Sequence, residues 1–118
     1  EERLPFLYTY GVARGSLTLE ELVALTATNP ARTFGLFPRK GTIAPGADAD
    51  VVVWDPSIKY TWSAKTHHCG SDNTPYEGLA AEGAVRHVLV RGRPVIRDGA
   101  LAASNAGWGT FLRREPGL

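Results

Sequence analysis

Apolar positions fall into two regimes along the chain. From residue 3 to about 37 they recur with helical spacing. Leu19, Leu22, Val23 and Thr26 lie on one stripe, read as a buried helix face, and residues 5–12 carry apolar groups too densely for an exposed face. Gly15 is a stop signal. Thr18 followed three residues later by Glu21 has the form of a capping box, in which each end satisfies the other's backbone N–H. Asn29-Pro30 reads as a second start, with Asn as N-cap and Pro at the first helical position, and that short helix ends at Gly35.

From residue 40 the period changes to two. Pro45-Gly46 marks a turn, and Asp48 and Asp50 flank the entry to Val51-Val52-Val53-Trp54, a short buried strand that Asp55-Pro56 closes. Lys59–Ser63 alternates as a second strand. Residues 85–97 form a hairpin with Arg91-Gly92 at its turn, Pro94 consigns the outgoing strand to an edge, and Asp98-Gly99 closes it. Residues 67–78, HHCGSDNTPYEG, read as an irregular loop. The tail holds Trp108 and Phe111 with little regular pattern, which suits disorder or docking on a neighbour.

Composition adds limits. A chain of 118 residues, 43% hydrophobic and 21% charged, suits one globular domain. A formal net charge of +1 gives no reason to expect nucleic acid or an anionic membrane as partner. No apolar run approaches the ~20 residues of a bilayer span. The single cysteine, Cys69, forms no internal pair, so a reducing, cytoplasmic setting is the default expectation. The absence of methionine and the opening at Glu1-Glu2 suggest a piece of something longer.

Each chemically suggestive group has a plain structural reading. Adjacent His67 and His68 point to opposite faces of an extended segment, so one metal ion would not readily take both. Hydrogen bonds that fix the loop are their expected work, with Asp72 and Glu77 as partners. His87 reads as a half-buried sheet residue. Asp48 and Asp50 read as acceptors for backbone N–H groups rather than as catalytic carboxylates. Cys69 has no general base in a recognisable pattern. Gly35, Gly41 and Gly46 make no phosphate loop. Arg86, Arg91, Arg93 and Arg97 read as a solvated hairpin face, with subunit contact as the alternative.

The run LTLEELVALTATNPARTFGLFPRKGTIAPGADADVVVWDP, the loop SAKTHHCGSDNTPYEG, the hairpin VLVRGRPVIRDG and the tail GWGTFLRR together resemble the C-terminal part of the hydantoinase and dihydropyrimidinase family, cyclic amide hydrolases of the amidohydrolase superfamily. The resemblance implies an α+β segment: residues 1–38 as the last helices of a (β/α)8 barrel, 39–100 as the C-terminal strands of a small β-sandwich, and 101–118 as a tail docking on the barrel or a neighbouring subunit. It also implies two divalent ions, zinc by expectation, which activate water and polarise the ring carbonyl. The family's ligands are a His-x-His pair, a carboxylated lysine, two further histidines and an aspartate. No such motif occurs here, so no catalytic, cofactor-binding or metal residue is assigned. The family's substrate-binding asparagine would precede Glu1, so Asn29 is left to capping. Asn73 stands where relatives commonly carry an aromatic residue. A cyclic ureide or imide substrate, the upstream barrel and a second copy, in a dimer or tetramer, are the implied partners. Allantoinase and a non-catalytic dihydropyrimidinase-like binding protein are the alternatives. A self-standing interaction module is disfavoured, because orphaned apolar helices would leave a large exposed patch. By the same argument the segment made alone should self-associate.

Overall fold

The computed structural model describes residues 1–102 and 107–114. Three short α-helices precede four strands: α1 (Arg3–Leu7), α2 (Leu19–Val23), α3 (Asn29–Thr33), β1 (Val51–Thr61), β2 (Ala80–Val90), β3 (Arg93–Arg97) and β4 (Ala100–Leu101). The strands form one sheet in the order β1-β2-β3-β4, with the β2–β3 and β3–β4 pairs antiparallel. The described chain is thus an α+β piece. It divides into two compact units, one of Glu1–Leu22 with Trp54–Ala84, the other of Val23–Val53 with Val85–Leu118.

The first unit is organised by aromatic rings. α1 continues into a wider π-type turn, Tyr8–Val12, which carries Tyr10 one helical turn beyond Phe6, with ring centroids 4.9 Å apart. Phe6 also meets Tyr76 at 4.7 Å, and Tyr10 stacks with Trp62 at 6.2 Å. Trp62 is only 2% exposed and forms the centre of this cluster. Backbone bonds from Trp62 N–H to the Leu79 carbonyl (3.0 Å) and from Gly78 N–H to the Trp62 carbonyl (2.9 Å) fix its strand against the returning chain. Buried Thr9 ties the helix to β2, donating its hydroxyl to the Glu82 carbonyl (3.2 Å) and accepting the Glu82 N–H (3.0 Å). Both of its hydrogen-bonding capacities are used, as burial requires. Gly83, at φ 74°, lies flat against the Trp54 indole; a Cβ there would come within 2.6 Å of the ring.

The capping box forms as the sequence predicts: Thr18 N–H donates to Glu21 Oε2 (2.8 Å) and Glu21 N–H to Thr18 Oγ1 (3.1 Å). The stripe above it departs from expectation. Leu22 is buried, but Leu19 and Val23 are each 55% exposed, because no described residue covers that face.

In the second unit Asn29 is not a helix start. A π-type turn, Ala24–Thr28, runs into α3 with helical dihedrals at Thr28 and Asn29, and the Asn29 N–H bonds to the Ala24 carbonyl. Pro30 therefore sits inside a helical run. The wider turn before it shifts the carbonyl register by one residue, which accommodates an imino acid that lacks an N–H. Pro45-Gly46 is a turn as expected, with Ala47 N–H bonded to the Ala44 carbonyl at 3.1 Å and Gly46 at φ 89°.

Three strand readings are corrected. Val51–Trp54 and Lys59–Ser63 are not two strands; β1 runs through Asp55-Pro56 to Thr61. β1 lies at the end of the sheet order, where a proline need not donate to a neighbour, and Asp55 Oδ1 accepts the Ser57 N–H (2.9 Å) locally. Val52 and Val53 are exposed rather than buried. Finally, Pro94 does not make β3 an edge. Arg91-Gly92 is the hairpin turn, with φ 50° and 77°, but Asp98-Gly99 is a second such turn and adds β4 outside β3. Among the described residues β4 pairs Ile96 with Leu101 and Arg97 with Ala100, and Ala102 N–H bonds the Val95 carbonyl at 2.9 Å. On the inner side, a bulge between Val88 and Leu89 relieves the register where Leu89 faces Pro94.

Candidate functional site

Three polar clusters gather most of the chemically suggestive residues. The first fastens loop 63–79. Ser63 starts a one-turn 3-10 helix, Ala64–Thr66, with Lys65 N–H donating to its hydroxyl (3.3 Å). Glu77 Oε2 accepts the Ala64 N–H (2.8 Å); this bond, then Ser63, holds the Glu77 carboxyl below the usual range. His67, its side chain only 7% exposed, places Nε2 3.2 Å from Glu2 Oε1, and the same Glu2 oxygen accepts the Thr74 hydroxyl. His68 N–H donates to Glu1 Oε2 (3.0 Å), and His68 Nδ1 lies 3.4 Å from that oxygen. Burial would raise the Glu1 carboxyl, but the His68 N–H and imidazole bring it below the usual value. Burial raises the Tyr60 phenol, and the Glu1 and Glu2 charges add to the effect.

The histidines thus fix the loop, but through Glu1 and Glu2. Glu77 serves Ala64, and Asp72 Oδ1 accepts the Asn73 side-chain N–H at 3.0 Å. The expected partners are near in sequence; the observed ones lie 65 residues away for His67 on Glu2 and 67 for His68 on Glu1.

The second cluster closes the turn before β1. Lys40 Nζ pairs with Asp50 and with Asp48 (2.9 Å), Arg39 Nε meets Asp48 Oδ2 (3.0 Å), and Asp50 Oδ1 accepts the Arg91 N–H (2.8 Å). Only Asp50 takes a backbone N–H from the hairpin turn; the basic partners Arg39 and Lys40 are the component that the sequence reading missed. Burial would lower the Lys40 ammonium, yet Asp50 and Asp48 hold it above its ordinary range. Lys40 chiefly lowers the Asp48 carboxyl. For Asp50, burial pushes upward and Lys40 together with the Arg91 N–H prevails, so it too is lowered.

The third cluster seats the tail. Arg91 and Arg93 place their guanidinium carbons 4.5 and 4.9 Å from the Trp108 ring centroid, and Trp108 Nε1 donates to the Val90 carbonyl (2.9 Å). Arg91 also donates to the Trp108 carbonyl and the Thr110 hydroxyl. The arginines are therefore more than a solvated face: Arg86 Nε bonds Asp98 Oδ1 at 3.1 Å, and two others bracket an indole. His87 is half-buried as expected, with Nδ1 accepting the Asp98 N–H at 3.2 Å.

Among the described residues, no three His, Cys, Asp or Glu side chains are grouped to hold a metal ion. Cys69 is exposed. Among the same residues no helix is long and apolar enough to cross a membrane.

Known proteins similar to this chain are hydantoinases and dihydropyrimidinases. Over 97% of its length the chain is 43% identical to a D-hydantoinase of Geobacillus stearothermophilus, and over 98% it is 42% identical to a D-phenylhydantoinase of Escherichia coli O1:K1 / APEC. The solved D-hydantoinase (dihydropyrimidinase) of Thermus sp. superposes with a TM-score of 0.94 at 49% identity, over 99% of this chain and 25% of that one. The dihydropyrimidinase of Brevibacillus agri does so at 0.90 and 41% identity, over 94% and 24%. The chain spans about a quarter of the length of these relatives. The amidohydrolase family pattern matches residues 2–95, and the chain belongs to that family.

Proposed function

We infer that these residues are the C-terminal share of a hydantoinase or dihydropyrimidinase-type hydrolase that opens a cyclic ureide or imide ring. The observation that carries this reading is the superposition of nearly the whole chain on one quarter of the Thermus sp. D-hydantoinase at a TM-score of 0.94. On this reading residues 1–38 are the last helices of a (β/α)8 barrel, residues 39–100 belong to a β-sandwich, and residues 101–118 are a tail on the barrel or a neighbouring subunit in a homo-oligomer. The uncovered side chains of Leu19, Val23 and Leu25 support the first assignment, since a larger apolar partner would bury them. The exposed Phe111 supports the last.

The reaction needs a water activated by two divalent ions, zinc by proposal. The residues described here do not fit that centre: His67 and His68 face Glu2 and Glu1, Asp48 and Asp50 face Lys40, and His87 accepts a backbone N–H. We therefore place the ions on side chains outside residues 1–118. The present segment contributes packing and loop support, and the cytoplasm is the proposed compartment.

The test is to express the full coding sequence that contains these residues and follow ring opening of a 5-substituted hydantoin and of dihydrouracil. Metal-dependent turnover is expected from the complete protein and none from residues 1–118 alone. A complete protein inert toward both rings, or activity in the short chain, overturns the reading.

A further inference from the structure

The turn between β2 and β3 is engaged from both directions along the chain. Arg91 and Gly92 stand at φ 50° and 77°, and a two-residue hairpin leaves the N–H groups of its central residues outside the ladder. The stretch leading into β1 takes both donors. Asp50 Oδ1 accepts the Arg91 N–H (2.8 Å), and the Ala49 carbonyl accepts the Gly92 N–H (2.8 Å). From the other direction comes the tail. The Arg91 guanidinium donates to the Trp108 carbonyl and the Thr110 hydroxyl, with its carbon 4.5 Å from the Trp108 ring centroid. Arg91 thus meets Asp50 through its backbone and the tail through its side chain.

We propose that Asp50 is a latch for the C-terminal tail: by holding Arg91 in its left-handed conformation, it keeps the guanidinium where residues 108–110 can dock. Arginine rarely adopts a positive φ, because its Cβ crowds the backbone and it has no short polar group to compensate locally. That conformation needs support from outside the turn, and Asp50 supplies it. Asp50 is steadied in its turn by Lys40, which also pairs with Asp48. The rest of the seat comes from the same turn. Arg93 lies 4.9 Å from the Trp108 ring centroid, and the Val90 carbonyl accepts the Trp108 Nε1–H at 2.9 Å. Val90, Arg91 and Arg93 move with the turn, so a turn that opens withdraws all three contacts together. The loop before β1 therefore governs whether the tail is seated.

The test is hydrogen exchange in the complete protein, a readout that does not involve ring opening. Asp50→Ala should speed exchange of residues 107–114 by about two- to tenfold. Asp50→Asn keeps a side-chain oxygen for the Arg91 N–H and should retain most of the protection. Trp108→Ala changes only the tail, which guards against a failure of the first variant to fold. Because coupling is reciprocal, it should speed exchange of residues 48–50 as well. Tail exchange that is the same in folded Asp50→Ala and in the unsubstituted protein overturns the proposal. So does Asp50→Asn losing as much protection as Asp50→Ala, or residues 48–50 left unmoved by Trp108→Ala.

Discussion

The two units are held by different chemistry. In the first, cohesion comes from rings: Phe6, Tyr10, Trp62 and Tyr76 meet around a tryptophan that is almost fully enclosed. In the second, the long turn before β1 is closed by Lys40, Asp48 and Asp50, and the tail is seated between arginines. Ring packing depends on area removed from water and hardly on pH. Ion pairs near the surface are individually weak and respond to salt and titration. The contrast predicts that the units answer to different perturbations.

The largest expected effect is at the ring cluster. Trp62→Ala should cost about 3–5 kcal/mol, read as a lowered urea midpoint for the complete protein, with little dependence on salt. A loss below ~1 kcal/mol would remove Trp62 from the centre of the unit.

Asp50→Ala comes next. It leaves the Arg91 N–H without its acceptor and Lys40 with only Asp48. For a half-exposed group of this kind the expected cost is about 1–2 kcal/mol, and it should shrink in high salt. The same loss at low and high salt would mean that the backbone bond, not the ion pair, carries the contribution.

The smallest effect is the acid response. Asp48 and Asp50 titrate below their ordinary carboxylate values in the folded chain. Their contribution is present above the unfolded carboxylate range and disappears as pH falls through the lowered folded values. Lys40, raised, loses its contribution only as pH climbs through its folded value above the ordinary lysine range. Hydrogen exchange of residues 39–50 should therefore speed up on acidification before that of residues 54–62. Simultaneous loss would erase the distinction between the units.

What the sequence discloses follows from range. The Thr18–Glu21 box, the Pro45-Gly46 turn and the Arg91-Gly92 turn are settled by residues at most three apart, and all three form as read. The His67–Glu2, Asp50–Arg91 and Arg91–Trp108 contacts join distant positions, and no local signal names the partner. The misread strands have another cause. Asp55-Pro56 and Pro94 are strong stop signals in isolation, yet an outer strand tolerates the first, and a bulge with a two-residue neighbour tolerates the second. Asn29-Pro30 misled in the same way, because a π-type turn admits proline where a regular helix would not. Of the candidate site, the role of His67 and His68 in fixing the loop was legible, whereas their partners Glu2 and Glu1 required the fold.

Gly83 and Trp54 occupy each other's space so closely that neither position can drift independently. A methyl group at residue 83 meets the indole, whereas a smaller ring at residue 54 opens room but weakens the tilted ring contact that Tyr8 makes at 5.1 Å. A side chain at residue 83 therefore demands a smaller group at residue 54, and at φ 74° the backbone would resist it even then.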